Sequence, residues 1–291
     1  MKLNHTTLAH PVRLSGTGLF SAQPSTLTIS PTTTGESGIF FVHNATQIPA
    51  HIDHLSALPV HPAFAQMSPR CTSVAAGAIN IATIEHVLSA LIGVGITDAK
   101  IEVESNHDHT EIPIMDGSSI DFVNAIISAG TKTLDTSIAP TEPITISKKI
   151  LIEQDGSSIM IEPANSLSYT YTLEYDCPSI ADTTVSWQGD PDEYINTIAP
   201  ARTFCLEHEA QAMHAAGMFT HLTPKDMLVI GDNGPIENTL RHKHECAYHK
   251  LLDLIGDLSL VGRPMIAKVT AIKSGHAMAH RAARAIVDQN K

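Results

Sequence analysis

Basic residues are scarce in this chain. Lys and Arg number 18 against 30 Asp and Glu, a formal charge of −12, so no cationic stripe is available to neutralise a phosphate backbone and a nucleic-acid partner is not expected. Long apolar runs are missing too. No stretch approaches the roughly 18 apolar residues of a membrane span, the opening MKLNHTTLAHPVRLSG has no apolar core, and neither end carries a lipidation signal. A soluble, cytoplasmic protein is the expectation. Cysteine is sparse as well: Cys71, Cys177, Cys205 and Cys246 are scattered with no CxxC, which suits reduced thiols better than a disulfide framework or a structural zinc finger.

What is present is ordinary for a globular protein: 291 residues, 43% hydrophobic and 16% charged, enough for two domains. The first half opens with alternating segments, VRLSGTGLFS, STLTIS and GIFFVH, that read as antiparallel strands between turn clusters. After a proline-spotted loop over 58–69, IATIEHVLSALIGVG shows helical spacing, DAKIEVE reads as a strand, and a second helix is predicted over Ile120–Ala129. The tract TKTLDTSIAPTEP, rich in Thr and Pro, marks a boundary. It divides the chain into a first domain over 1–130, a linker over 131–143 and a second domain over 144–291. There ITISKKILIEQ, SSIMIEP and SYTYTLEYD suggest a sheet, followed by helices around 207–216 and 240–260, the strand AKVTAIK and a last helix from about residue 277. Each half is strands, helix, strand, helix: an α+β pattern repeated without a sequence repeat.

The stretch LRHKHECAYHKLLDLIGDLSLVG carries the most chemistry. Ala247, Leu251, Leu254, Ile255 and Leu258 form the apolar stripe of a helix, and His249, Asp253 and Asp257 fall at i, i+4 and i+8 on another strip. An imidazole and a carboxylate one turn apart can reach one divalent ion. On this segment alone the favoured reading is a solvated face on which Lys250 pairs with Asp253. In Thr83-Ile84-Glu85-His86, Thr83 is the expected N-cap, placing Glu85 and His86 in a first helical turn about 100° apart. His86 is then free to hold a metal while Glu85 reaches a water, or Glu85 simply complements the helix dipole. His107 and His109 in HDHTEIPIMDGSS have HxH spacing, yet a loop rich in Asp, Gly and Ser explains itself as turn chemistry. In Ser274-Gly275-His276 a glycine lets the backbone turn tightly before an imidazole, and by periodicity His280 has an equal claim. Ala201-Arg202-Thr203-Phe204 sets a hydroxyl beside a cation and an aromatic ring.

Taken together, TIEH, EIPIMDGSS, ARTF, HKLLDLIGDL and SGHA occur in the order and near the separations of one family. From SGTGLFSAQP through RCTS to SGHAMAHRAARAI, nearly the whole chain resembles the UDP-3-O-acyl-N-acetylglucosamine deacetylases, zinc amidases of lipid A synthesis. The resemblance implies two α+β domains, each a β-sheet layer on a pair of helices, with the helices sandwiched between the two sheets. It implies one catalytic Zn2+ on His86, His249 and Asp253 with an open position for water, Glu85 as general base, His276 as acid, and Asp257 as the carboxylate that keeps His276 protonated. Thr203 matches a hydroxyl that stabilises the oxyanion. Lys250 matches a cation that meets the substrate, and Phe204, Tyr175, Cys71 and Lys273 are further implied contacts to an acylated UDP-amino sugar. A monomer is expected, with Glu85 and His86 from the first domain and Thr203, His249, Asp253, Asp257 and His276 from the second. His107, His109 and His280 receive no role.

Several segments depart from the family pattern. A glycine-leucine-histidine is Gly18-Leu19-Phe20 here, an aspartate-phenylalanine-x-histidine-proline is Glu174-Tyr175-Asp176-Cys177-Pro178, HLTPKDM replaces a glycine-rich tract over 221–227, and Tyr248 replaces an arginine. These departures keep two other readings open: a zinc deacetylase of a related acetylated amino sugar, and a non-catalytic nucleotide-sugar binder. The presence of both Glu85 and His276 weighs against a binder.

Overall fold

The structure, a computed structural model, describes residues 3–33, 36–134 and 141–291; residues 135–140 of the expected linker lie outside the described residues. Two five-stranded sheets dominate. The first runs in the order Val12–Thr17, Pro24–Ser30, Ala99–Glu104, Ile39–His43, Thr46–Pro49, and the second Ile150–Gln154, Ser157–Glu162, Lys268–Ile272, Ser168–Leu173, Thr183–Trp187. In each, two hairpins flank a central strand that arrives later in the chain. That strand is antiparallel to its neighbour on one side and parallel on the other. The two halves therefore share one topology, although no sequence repeat marks it. Burial alternates along Pro24–Ser30 and again along Ser157–Glu162, the period of a sheet with one face on a core. The hairpin from Gln154 to Ser157 turns through Asp155 and Gly156, both at positive φ, as an Asp-Gly two-residue turn requires.

Six α-helical segments occur among the described residues: α1 Glu85–Gly93, α2 Ile120–Ala129, the single turn α3 Pro191–Glu193, α4 Glu207–Ala215, α5 Glu245–Leu258 and α6 His276–Gln289. None is long and apolar enough to cross a membrane. α2 packs on the first sheet, α5 and α6 pack on the second, and α1 lies against α5, so the helices fill the space between the two sheets. This position explains why α1 is apolar on nearly every side, with Val87, Leu88, Ala90 and Leu91 all fully buried. Two small sheets, one of Ser73–Ala76, Ile79–Ala82 and His109–Glu111 and one of Phe204–Leu206, Leu228–Gly231 and Gly234–Pro235, are inserted between strands of the large ones.

Three local expectations are corrected. Thr83 is not an N-cap: it sits at φ 61, its hydroxyl donates to Glu111 at 3.1 Å, and Ile84 precedes α1 without a side-chain cap. Helix α5 begins at Glu245, because the Glu245 carboxylate takes the Arg241 backbone N–H at 2.7 Å and holds residues 241–244 outside the helix. Gly275 is extended, with open space where a β-carbon would be, and the left-handed residue of that junction is Lys273 at φ 51.

One glycine does carry a steric requirement. A β-carbon at Gly256, in the last turn of α5, would overlap the backbone carbonyl of Glu85 at the start of α1. A helical Gly→Ala change ordinarily stabilises by up to about 1 kcal/mol. Here Gly256→Ala is expected to destabilise by about 1–3 kcal/mol through overpacking, read as a lowered urea midpoint; a stabilised variant would show that the two helices are not in this contact.

Candidate active site

Helix α5 presents its polar strip to the start of α1 rather than to solvent. His249 is 1% exposed, Asp253 6% and Asp257 1%, which overturns the solvated-face reading of this segment. The Lys250–Asp253 pair expected on that reading is nonetheless present, with Nζ 2.6 Å from Oδ2. It leaves Oδ1 free. That oxygen lies 3.3 Å from His249 Nε2 and 3.5 Å from His86 Nε2, with the two rings perpendicular. His249 Nδ1 is 3.1 Å from the Ala201 carbonyl, to which it donates, so the Nε2 lone pair faces the cluster.

These three residues form the one potential metal-holding cluster found among the described residues, their donor atoms all within 4.8 Å of one another. The fit to a divalent ion rests on spacing and protonation. Donors at about 2.1 Å around a tetrahedral ion lie about 3.4 Å apart, close to the separations seen. Burial drives the His249 pKa down to about 3, so the imidazole is neutral, the form that binds a metal. Burial also opposes charge on Asp253, but the Lys250 ammonium and the contact with His86 outweigh it and hold its carboxyl well below the usual range. Lys250 in turn stays protonated, its burial outweighed by Asp253.

Around the cluster lies a cavity of about 460 Å³. Glu85, Thr203 and His276 reach its wall together with the three donors, as do Lys250, Phe204, Tyr175, Cys71 and Lys273. Glu85 is 3% exposed and accepts the Thr72 backbone N–H at 3.0 Å. Burial pushes its carboxyl above the usual range, while charge on His276 works the other way, and a cation beside His86 would add to that lowering. Asp257 lies behind the wall, its Oδ2 2.9 Å from His276 Nδ1. Burial alone would make that imidazole less basic, but the Asp257 carboxylate outweighs it and raises the pKa to about 9. Tyr171 fixes the approach to His276 by donating its hydroxyl to the Ser274 carbonyl at 2.6 Å.

Thr203 owes its place to two motifs that looked bland in the sequence. Its backbone N–H donates to the Gly117 carbonyl at 2.7 Å, and Gly117, at φ 83, passes so close that a β-carbon would crowd the Thr203 methyl. Next to it, buried Arg202 pairs with Glu245 at 2.7 Å and donates to Asn238 and the Thr239 carbonyl. Glu111 anchors the N-terminal turn by accepting the backbone N–H groups of Phe20 and Ser21. Thr72, in RCTS, was given no chemistry by its sequence context, yet it bonds both Glu85 and Asp257. His280 is also wired in, 2.7 Å from the Thr72 hydroxyl, whereas His107 and His109 are exposed and outside the cluster. Among the departures, Phe20 packs edge-on to Phe64 and tilted on Phe219, Cys177 is in the core, and Tyr248 meets His242 edge-on.

Two buried imidazoles and a carboxylate converge here beside a second carboxylate and a readily protonated histidine, a donor set that could hold a divalent ion. The model of the family described as UDP-3-O-acyl N-acetylglycosamine deacetylase matches residues 5–288. A Leptospira biflexa protein named UDP-3-O-acyl-N-acetylglucosamine deacetylase is 32% identical over 291 residues, 99% of this chain and 91% of its own. Proteins of the same name from Anaeromyxobacter sp. (strain Fw109-5), 36% identical over 279 residues (94% of this chain, 86% of theirs), and Campylobacter hominis, 32% over 290 (99% and 93%), are similar. The chain belongs to this deacetylase family, a family of metalloenzymes.

The Arg202–Glu245 pair gives a direct test of how Thr203 is held. Arg202→Met leaves a buried carboxylate without its cation and is expected to destabilise by about 3–5 kcal/mol. Urea unfolding that moves by less than 1 kcal/mol on the same scale would show that the pair does not anchor this segment.

Proposed function

We propose that this protein hydrolyses the N-acetyl group of a UDP-3-O-acyl-N-acetylglucosamine, releasing acetate in the committed step of lipid A synthesis, with one zinc ion held by His86, His249 and Asp253. The observation that carries the reading is a single cavity wall presenting three metal donors, a buried carboxylate and a histidine kept protonated by its neighbour. Two imidazole nitrogens and one carboxylate oxygen suit zinc and leave a position open, as catalytic rather than structural zinc requires. When bound, the ion supplies a Lewis acid that polarises the acetamide carbonyl and acidifies the attacking water.

The protein's own groups complete the reaction. Glu85 takes the proton from the water that attacks the carbonyl carbon. The Thr203 hydroxyl donates to the oxygen that gains negative charge. His276, an imidazolium through the neutral range, gives its proton to the glucosamine nitrogen as the carbon–nitrogen bond breaks, so acetate and a free amine leave. Asp257 acts through His276 by stabilising that charge. Lys250, Lys273 and Tyr175 line the route into the cavity and suit the anionic nucleotide, with Phe204 and Cys71 as further contacts. An adjoining cavity of about 170 Å³, walled by Phe20, Phe64, Met213, Phe219, Leu222 and Met227, suits the acyl chain. In this reading the first unit brings Glu85 and His86 and the second brings the remaining groups.

Acetate release from the acylated nucleotide sugar tests the reading, with the unacylated sugar as control. Glu85→Ala and His276→Ala are each expected to cost about 10² to 10⁴ in rate while zinc stays bound. No acetate from either sugar would leave a binder. The alkaline limb of kcat/KM should fall near the raised pKa of His276, about 9, because the acid is lost as pH rises through it. Asp257→Asn removes the charge that raises this pKa, so the limb moves down and the rate drops more at pH 8 than at pH 6. A limb untouched by both His276→Ala and Asp257→Asn would assign the acid to another group.

A further inference from the structure

We propose that Thr72 is a positioning residue that ties the base and the acid of this site together across the two α+β units, and that His280 sets the direction of its hydroxyl. The inference rests on the roles proposed for Glu85, Asp257 and His276. Thr72 is fully buried and every polar atom it has is spent at this junction. Its backbone N–H donates to Glu85 Oε2 at 3.0 Å, and its carbonyl accepts the N–H of Ile84, the residue before α1, at 3.2 Å. Its hydroxyl donates to Asp257 Oδ1 at 2.5 Å on α5 and meets His280 Nε2 on α6 at 2.7 Å.

A hydroxyl has one proton, and a carboxylate can only accept it. Nε2 of His280 must therefore be the donor in its contact with Thr72. The protonation of that ring agrees: burial lowers its pKa to about 4 despite the nearby Asp257, so it is a neutral imidazole with one N–H to give. The chain of donors is then fixed in direction, from His280 to Thr72 to Asp257. Asp257 has a donor on each oxygen, Thr72 on Oδ1 and His276 on Oδ2, and cannot rotate away from the imidazolium. Since the same threonine also holds Glu85, one residue of the first unit sets where base and acid stand relative to each other.

The effect is readable in kinetics. His276 is faced by Asp257 and Asp253 from α5 and by Glu85 from α1, with His280 one turn along its own helix. Thr72→Val keeps the shape and the backbone bonds but removes the hydroxyl proton. Asp257 then concentrates its charge on His276, which becomes a weaker acid. The expected result in zinc-loaded enzyme is a kcat lower by about tenfold, KM within about twofold, and an alkaline limb raised by about half a pH unit. Thr72→Ser should restore all three. His280→Phe should shift the limb the same way by less, and add nothing further in the Thr72→Val background, since both act through one hydroxyl. Wild-type kcat with an unmoved limb in Thr72→Val, a serine variant as impaired as the valine one, or additive effects of the pair would each overturn the proposal. Should Thr72→Val not fold, an unmoved limb and unchanged kcat in His280→Phe overturn it alone. An alkaline limb that vanishes in His276→Ala yet ignores Thr72 and His280 defeats only this inference; a limb that ignores His276 defeats the mechanism beneath it.

Discussion

The close approach of α5 to α1 at Gly256 is the constraint on which the site depends. Only a residue without a β-carbon lets the α5 backbone pass against the Glu85 carbonyl. Asp253 and Asp257 flank that glycine by three residues and one. They are thus carried to the N-terminus of α1, where Glu85 and His86 emerge. Move the helices apart by the width of a methyl group and the carboxylate of one unit no longer meets the imidazole of the other. The buried apolar residues of α1 and the duplicated sheets on either side keep this contact from opening.

Within that contact, burial would by itself neutralise every ionisable group, and each escapes or obeys according to its partner. His249 obeys: it has a carbonyl for its N–H and stays neutral. Asp253 escapes through Lys250, and His276 escapes through Asp257. Low polarisability makes these pairs strong and makes an unpaired charge costly. A neutral imidazole at His249, an ionised carboxylate at Asp253 and an imidazolium at His276 are by this means held in different states at one buried junction of helices.

Much of this was legible beforehand. Ile120–Ala129 was readable as a helix from its spacing, and the His249–Asp253–Asp257 strip from an i, i+4, i+8 pattern. The strip's burial was not, because periodicity shows which residues share a face and not what covers that face. Thr83 misled because a threonine before a helix usually caps it, whereas here Glu111, distant in sequence, claims the hydroxyl. Thr72 was silent for the same reason, since Asp257 and His280 lie 185 and 208 residues away along the chain, and His280, which had a claim by periodicity, was given no role because that distant partner was not visible. The shared topology of the halves was visible only as order of elements, since a fold can persist where side chains have diverged.

The central claim is that residues from both units converge on one ion. Anomalous diffraction measured on either side of the zinc absorption edge, on crystals of the unmodified protein grown with zinc, tests it most directly. The account predicts one strong peak about 2.0–2.2 Å from His86 Nε2, His249 Nε2 and an Asp253 oxygen, appearing only above the edge. A peak bound elsewhere, for instance at His107 and His109, with those three side chains left free of metal would contradict it.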